Sequence, residues 1–108
     1  MDRTTAQPYT WDEILEKLEK PLDVERNMGY RDLSVIGGFA RYMQTWARRG
    51  LEIINSDQVQ QQLKRICTLF EGYSSLSVVE RRRRIQAAER ILHALRRWTE
   101  MKASGKAV

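Results

Sequence analysis

Few residues of this chain could carry out covalent chemistry. Cys67 is the single cysteine and His93 the single histidine. A nucleophilic cysteine requires a neighbouring base, and the sequence suggests none for Cys67, which lies between Ile66 and Phe70 on an apolar pattern. We therefore expect Cys67 to be a small buried apolar residue and His93 to be a partly exposed structural residue.

Phosphate-binding loops and metal sites are also absent from the sequence pattern. The Gly37-Gly38 pair lacks the following lysine and the preceding strand of a nucleotide-binding loop. One cysteine cannot build a cysteine zinc site, and the acidic pairs near the amino terminus fit a solvated helix surface. We expect these 108 residues to contain no catalytic residue, no metal ligand and no cofactor, and so not to be an enzyme by themselves.

Arginine is the residue type that stands out. Arg81 to Arg84 are consecutive, and successive helical residues lie about 100° apart, so these four side chains spread around a helix. Arg81 and Arg84 come one turn before the apolar Ile85 and Ala88, so we expect both to border the core.

A second arginine pattern follows one helix side. It consists of Arg83, Gln86, Arg90, His93 and Arg97, and it covers ~21 Å at about 1.5 Å per residue. We call these five residues the outer stripe. Such a stripe could bind several phosphates of a nucleic acid, with Arg83, Arg90 and Arg97 as the candidate nucleic-acid-binding residues. Alternatively, it is a solubilising face, pairs with acidic residues of the first helices, or contacts an acidic part of the same parent protein.

The net charge of +5 is concentrated near the carboxyl end. Up to Tyr73 there are 10 basic and 11 acidic residues, and from Ser74 onward there are 9 basic and 3 acidic residues. A basic end favours nucleic acid or another acidic surface as a partner. The chain has no apolar run near the roughly 20 residues that span a bilayer and no secretion signal, so we expect a cytoplasmic protein with no membrane contact. We also expect it to be a monomer.

The first helix is predicted to begin at Trp11, after a capping box of Thr10 and Glu13. Pro21 lacks an amide and clashes with the carbonyl four residues earlier, so we expect two helices, about 11–19 and 21–28, that meet at a bend. Gly29 can adopt the positive φ that ends a helix near residue 28.

The next helix is predicted to start at Asp32 or Ser34, whose side chains can accept from its free amides. Steps of three and four residues then predict one buried face: Ile36, Phe39, Ala40, Met43, Trp46, Ala47, Leu51 and Ile54. Gly37 and Gly38 are poor helix formers, so either another backbone passes close to them or the helix begins after them.

Two further helices complete the chain. The first follows capping residues 55–57 and carries a face with Val59, Leu63 and Ile66. The second begins after a capping box of Ser77 and Glu80 and runs from about 78 to 102. Its predicted inward residues are Val78, Ile85, Ala88, Ile91, Leu92, Leu95 and Trp98.

These elements predict an all-α fold, an antiparallel four-helix bundle with a first helix bent at Pro21 and a long carboxyl-terminal helix. We expect residues 1–9 to be a disordered amino-terminal segment, residues 10–102 to form the bundle domain, and residues 103–108 to be a flexible tail or linker.

The chain resembles the amino-terminal helical region of RecG-type ATP-dependent DNA helicases, which remodel stalled forks and Holliday junctions. The similar residues are Trp11 with Leu15-Glu16-Lys17-Leu18, Pro21-Leu22 leading to Glu25, Gly29-Tyr30-Arg31-Asp32, Val35-Ile36-Gly37-Gly38-Phe39 followed by Trp46, and Tyr73 through Leu76-Ser77 to Glu80-Arg81. The resemblance implies a four-helix bundle ahead of an OB-fold wedge domain and two motor domains that use ATP and Mg. The Walker lysine and the DExH-type box of the motors have no counterpart here.

The resemblance favours a non-catalytic accessory domain that braces the wedge and motor domains or adds a basic surface facing branched DNA. A second interpretation is a free-standing helical module that binds an acidic protein partner or self-associates. A third is a small helix-turn-helix DNA-binding regulator, which long helices and the lack of a three-residue turn between short helices disfavour.

Overall fold

The computed structural model describes residues 9–33 and 35–103, and in this part of the chain every regular element is helical. The elements are α1 (Trp11–Asn27), α2 (Phe39–Ile53), α3 (Asp57–Leu69), a 3-10 turn (Tyr73–Ser75) and α4 (Val78–Ala103). The predicted all-α class and the long last helix are confirmed. The segments predicted to be disordered or flexible lie outside the described residues, apart from Ala103, the last residue of α4, and Tyr9, whose ring packs 4.7 Å from that of Trp46.

α1 begins as predicted and continues further than predicted. Thr10 Oγ1 accepts from the Glu13 amide at 3.2 Å, and Glu13 accepts from the Thr10 amide at 2.8 Å, which completes the capping box. The prediction of two helices that meet at Pro21 is wrong, because α1 is one continuous helix that runs through Pro21 to Asn27. Pro21 is buried, so its ring adds to the core at the position where it removes one backbone hydrogen bond.

α1 and α4 are antiparallel neighbours. At one end, Trp11 Nε1 donates to Thr99 Oγ1 at 2.7 Å, and at the other end Arg26 forms an ion pair with Glu89. The start of α1 therefore lies beside the end of α4. This packing holds the outer stripe on the side of α4 away from the core.

α2 and α3 are also antiparallel. Gln44 Nε2 donates to the Cys67 carbonyl at 3.0 Å, and Gly50 faces Leu63 further along. A Cβ at Gly50 would lie 3.1 Å from Leu63 Cδ1, so glycine allows the two helices to approach closely here. The connection between them is only residues 54–56, and both helices that it joins are long.

The core contains most of the predicted apolar faces. Phe39, Phe70 and Tyr73 form its aromatic centre, with Phe39 and Phe70 packed edge to face at 5.2 Å. Two predicted core residues are exposed: Ile36 fully, because α2 begins only at Phe39, and Val78 to 54 %, in the first turn of α4. Leu51 and Ile54 are only partly buried. Trp98 is partly buried at the edge of the core.

Both later helix starts carry the predicted serine caps. Ser56 Oγ accepts from the Val59 amide at 3.3 Å, and Ser77 Oγ accepts from the Glu80 amide at 3.1 Å. The second capping box is only half formed, because the Glu80 carboxylate lies beside Arg83 and Arg84 instead.

Candidate functional site

The outer stripe is placed on the solvent side of α4, as its spacing predicts. All five of its residues, Arg83, Gln86, Arg90, His93 and Arg97, are exposed. The opposite side of the helix buries Ile85, Ala88, Ile91, Leu92 and Leu95 against the rest of the bundle. Rotation about the α4 axis is set by these apolar contacts, so the three arginines are held outward by the core.

The charges of the stripe are weakly neutralised within the described part of the chain. Arg83 Nη1 lies 3.3 Å from Glu80 Oε1, an exposed pair that is worth little in water. Arg90 and Arg97 form no ion pair with any described residue. These two guanidinium groups are available to an anion that approaches from solvent.

One arginine of α4 does pair with acidic residues of α1, but it is Arg96, which is not part of the outer stripe. Arg96 makes a bidentate contact with Glu19, in which its Nε and Nη2 donate to the two carboxylate oxygens at 2.9 and 3.1 Å. Its Nη1 lies 3.4 Å from Asp12 Oδ1. The hydrogen bonds that Arg96 donates to Glu19 are the largest influence on its pKa and raise it above the usual value, and burial opposes this only in part. Arg96 therefore joins α4 to α1, while the outer stripe is left out of this pairing.

The consecutive arginines divide by role. Arg81 donates to the Tyr30 carbonyl at 2.5 Å, to the Tyr73 carbonyl at 3.1 Å and to the Ser74 carbonyl. Arg84 donates to the Leu69 carbonyl at 3.1 Å. The prediction that Arg81 and Arg84 border the core is confirmed, and their donors are used to fix loops.

A buried carboxylate, which the sequence interpretation missed, organises the corner beside Arg81. Glu25 is fully buried, and its Oε2 accepts from the Asp32 amide at 2.6 Å and from the Tyr73 hydroxyl at 2.8 Å. Its Oε1 has no partner among the described residues. The available signal was spacing, because Glu25 continues the apolar face of Leu18 and Leu22 by one further turn.

The same corner places the start of α2. Asp32 Oδ1 accepts from the Ala40 amide at 2.7 Å, so Asp32 accepts from a free amide of α2 as predicted. The predicted start of the helix at Asp32 is wrong, because α2 begins at Phe39, and the alternative start at Ser34 lies outside the described residues. Tyr30 and Asp32 both have positive φ, at 63° and 62°, a strained conformation for side chains of this size. The hydrogen bonds from Arg81 and to Glu25 hold this strained loop. We call residues 25, 30, 32, 73 and 81 the corner network.

Cys67 and His93, the two residues considered for covalent chemistry, lie on different helices. Cys67 is half-buried on α3, with its Sγ 3.8 Å from the Gln44 carbonyl oxygen, and burial raises the pKa of its thiol, opposed in part by Arg48. His93 is exposed on the outer stripe. Cys67 is thus less buried than expected, and the shift of its pKa favours the protonated thiol over the nucleophilic thiolate.

Within residues 9–33 and 35–103, no group of three or more histidine, cysteine, aspartate or glutamate residues is close enough to hold a metal ion. Within the same residues, no helix combines the length and apolar character required to cross a bilayer.

Comparison with known proteins identifies no relative. No family model, no curated protein and no solved structure matches this chain.

Proposed function

We propose that this chain is a non-catalytic accessory domain of a RecG-like ATP-dependent DNA helicase, and that its α4 adds a basic surface facing branched DNA. The observation that carries the proposal is the outward placement of Arg83, Arg90 and Arg97, two of them without an ion pair among the described residues. The helicase assignment itself rests on the sequence resemblance. The resemblance implies a domain in the cytoplasm, beside the wedge and motor domains of its parent.

The proposed mechanism is electrostatic. Guanidinium groups bind phosphate oxygens and displace condensed counterions, so affinity depends strongly on salt and weakly on base sequence. The domain performs no bond cleavage in this proposal. ATP and Mg act in the motor domains, and the bundle holds the arginines rigidly because α4 is fixed by its apolar face and by Arg96.

Several residues that carry the resemblance support the structural side of the proposal. Glu25, Gly29-Tyr30-Arg31-Asp32 and Gly38-Phe39 belong to the resemblance, and they lie at the corner where α1 ends and α2 begins. Their part in this domain is to position helices. The contact with DNA is assigned to α4, where Arg90 and Arg97 lie on one exposed side without an ion pair among the described residues.

Charge reversal of the stripe tests the proposal. We expect Arg83→Glu/Arg90→Glu/Arg97→Glu to weaken binding of a three-way DNA junction at least tenfold. The slope of log affinity against log salt concentration should become shallower by roughly 2 to 3, the value for three phosphate contacts with duplex arms. The matched control is Arg31→Glu/Arg41→Glu/Arg48→Glu, which makes the same change in net charge at exposed residues outside α4.

Fluorescence anisotropy with a labelled junction measures both variants. Equal loss of affinity in the two triple variants would show a non-specific charge effect and reject the assignment to α4. Unaltered affinity of the stripe variant would also reject it. The helicase assignment has a separate test, because the coding sequence beyond Val108 should encode an OB-fold wedge followed by two motor domains.

A further inference from the structure

A groove lies between α3 and α4, next to the outer stripe. Its volume is about 380 Å³. One wall is formed by residues 58–65 of α3, and the other by residues 87–98 of α4. Val59, Ile91 and Leu95 form an apolar floor, and Trp98 closes one end of the α4 wall. Ala87 and Ala94 have small side chains, so they leave space between the two helices that a larger residue would fill.

The length of the groove favours an elongated occupant. Its α4 wall extends over residues 87–98, which is ~16 Å at about 1.5 Å per residue. That is three helical turns. A helix that lies along the groove could place apolar side chains at successive turns onto the floor, in the arrangement by which amphipathic helices bind grooves.

The charge around the groove favours an acidic occupant. Arg65 on the α3 wall and Arg90 on the α4 wall are both exposed, and neither forms an ion pair with a described residue. Gln58 and Gln62 add neutral polar groups, and the lining contains no acidic residue. Cations on both walls of an apolar floor match a helix with one apolar face and glutamate or aspartate beside it.

We propose that the α3–α4 groove binds an acidic amphipathic helix of a protein partner, which places apolar side chains on the floor and carboxylates beside Arg65 and Arg90. An apolar floor favours a peptide over nucleic acid, because phosphates gain nothing from contact with Val59, Ile91 and Leu95. This inference does not rest on the helicase assignment. It concerns a surface next to the proposed DNA-binding stripe, with Arg90 shared by both.

The probe is a synthetic helix of about 14 residues, ~21 Å long, with leucine at alternating steps of three and four and with glutamate on both flanks. Two control peptides separate the contributions. One replaces each leucine by serine and keeps the charge, and the other replaces each glutamate by lysine and keeps the apolar face. We expect only the leucine–glutamate peptide to bind in isothermal titration calorimetry.

Two variants locate the binding site. Ala94→Trp fills the groove from an exposed position, and Arg65→Glu reverses one charge at the rim. We expect each variant to lower the affinity for the peptide roughly tenfold or more, the effect of an interface hot spot. Arg41→Glu is the matched control, since Arg41 is an exposed arginine of α2 outside the groove, and it should change the affinity less than about threefold. Ala94→Glu, a second groove variant, keeps the test valid if tryptophan disturbs the fold.

Each outcome decides the proposal. Absence of binding, equal binding of either control peptide, or unaltered affinity of folded Ala94→Trp would overturn it. Loss of duplex DNA binding in Ala94→Trp would show that nucleic acid occupies the groove, and would overturn it as well. Retained DNA binding in Ala94→Trp with lost peptide binding supports the inference, whatever the result for the stripe.

Discussion

Arginines of α4 serve two regions in opposite ways. In the corner network, Arg81 gives its donors to three backbone carbonyls, and the neighbouring Glu25 carboxylate accepts from an amide and a hydroxyl. On the outer stripe, Arg90 and Arg97 point to solvent without an ion pair among the described residues. The same residue type is therefore structural in the corner network and available for binding on the outer stripe.

The number of arginines in a segment is therefore a poor guide to a binding surface. A charged side chain that is buried or half-buried must satisfy its hydrogen bonds within the fold, and that use removes it from recognition. Of the four consecutive arginines, Arg81 and Arg84 are used in this way, whereas Arg82 and Arg83 are exposed. Position around the helix separates the two groups.

The largest effect is expected at the centre of the corner network. Glu25→Ala leaves the Tyr73 hydroxyl and the Asp32 amide without their acceptor, and we expect it to lower the free energy of unfolding by about 3 kcal/mol or more. Urea denaturation followed by circular dichroism measures this. Glu25→Gln retains one acceptor oxygen and should cost less. A loss below about 1 kcal/mol in Glu25→Ala would show that the corner does not depend on this carboxylate.

A pair of arginine substitutions compares the two regions directly. Arg81→Ala removes charged hydrogen bonds to the carbonyls of Tyr30 and Tyr73, so we expect it to lower the free energy of unfolding by about 2 kcal/mol. Arg90→Ala, the matched substitution on the stripe, should change it by less than about 0.5 kcal/mol. Equal losses in thermal and urea denaturation would contradict the division into structural and available arginines.

The corner network also predicts a pH dependence. Burial raises the pKa of Tyr73 above the usual value near 10, and the hydrogen bond to Glu25 raises it further. Because the folded pKa exceeds the unfolded pKa, the folded chain holds this proton more tightly. The associated stability is complete below about pH 10 and is lost as the pH rises towards the folded pKa, at up to about 1.4 kcal/mol per pH unit.

Denaturation at pH values on both sides of about 10 tests this dependence. Tyr73→Phe cannot ionise at this position, so its stability should fall less steeply with alkaline pH than that of the unaltered protein. Its stability near neutral pH should be lower by about 1 kcal/mol, because one hydrogen bond is lost. Identical pH profiles for the two proteins would rule out Tyr73 as the source.

Much of the fold could be predicted because apolar spacing is a local signal. The face of α2 through Phe39, Met43 and Trp46 follows the 3.6-residue period, and each of these residues is buried. Ile36 continues the same spacing but is exposed, because Gly37 and Gly38 take positive φ and α2 begins after them. Periodicity does not show where a helix begins.

The candidate sites also differ in whether local spacing predicts them. Spacing alone placed Arg83, Arg90 and Arg97 on one outward side, since rotation about a helix axis follows from residue number. The Glu25–Tyr73 contact joins residues 48 positions apart, and the groove depends on how α3 and α4 pack, so neither follows from local spacing. Such features require the tertiary structure.

A titration of the ¹⁵N-labelled protein with duplex DNA, followed by amide chemical shifts, shows directly which surface binds DNA. We expect the shifted amides to lie on the outer side of α4, around Arg83, Arg90 and Arg97, and those of the corner network to stay unchanged. Shifts concentrated around Arg41 and Arg48 of α2, or no shifts at low salt, would contradict this expectation.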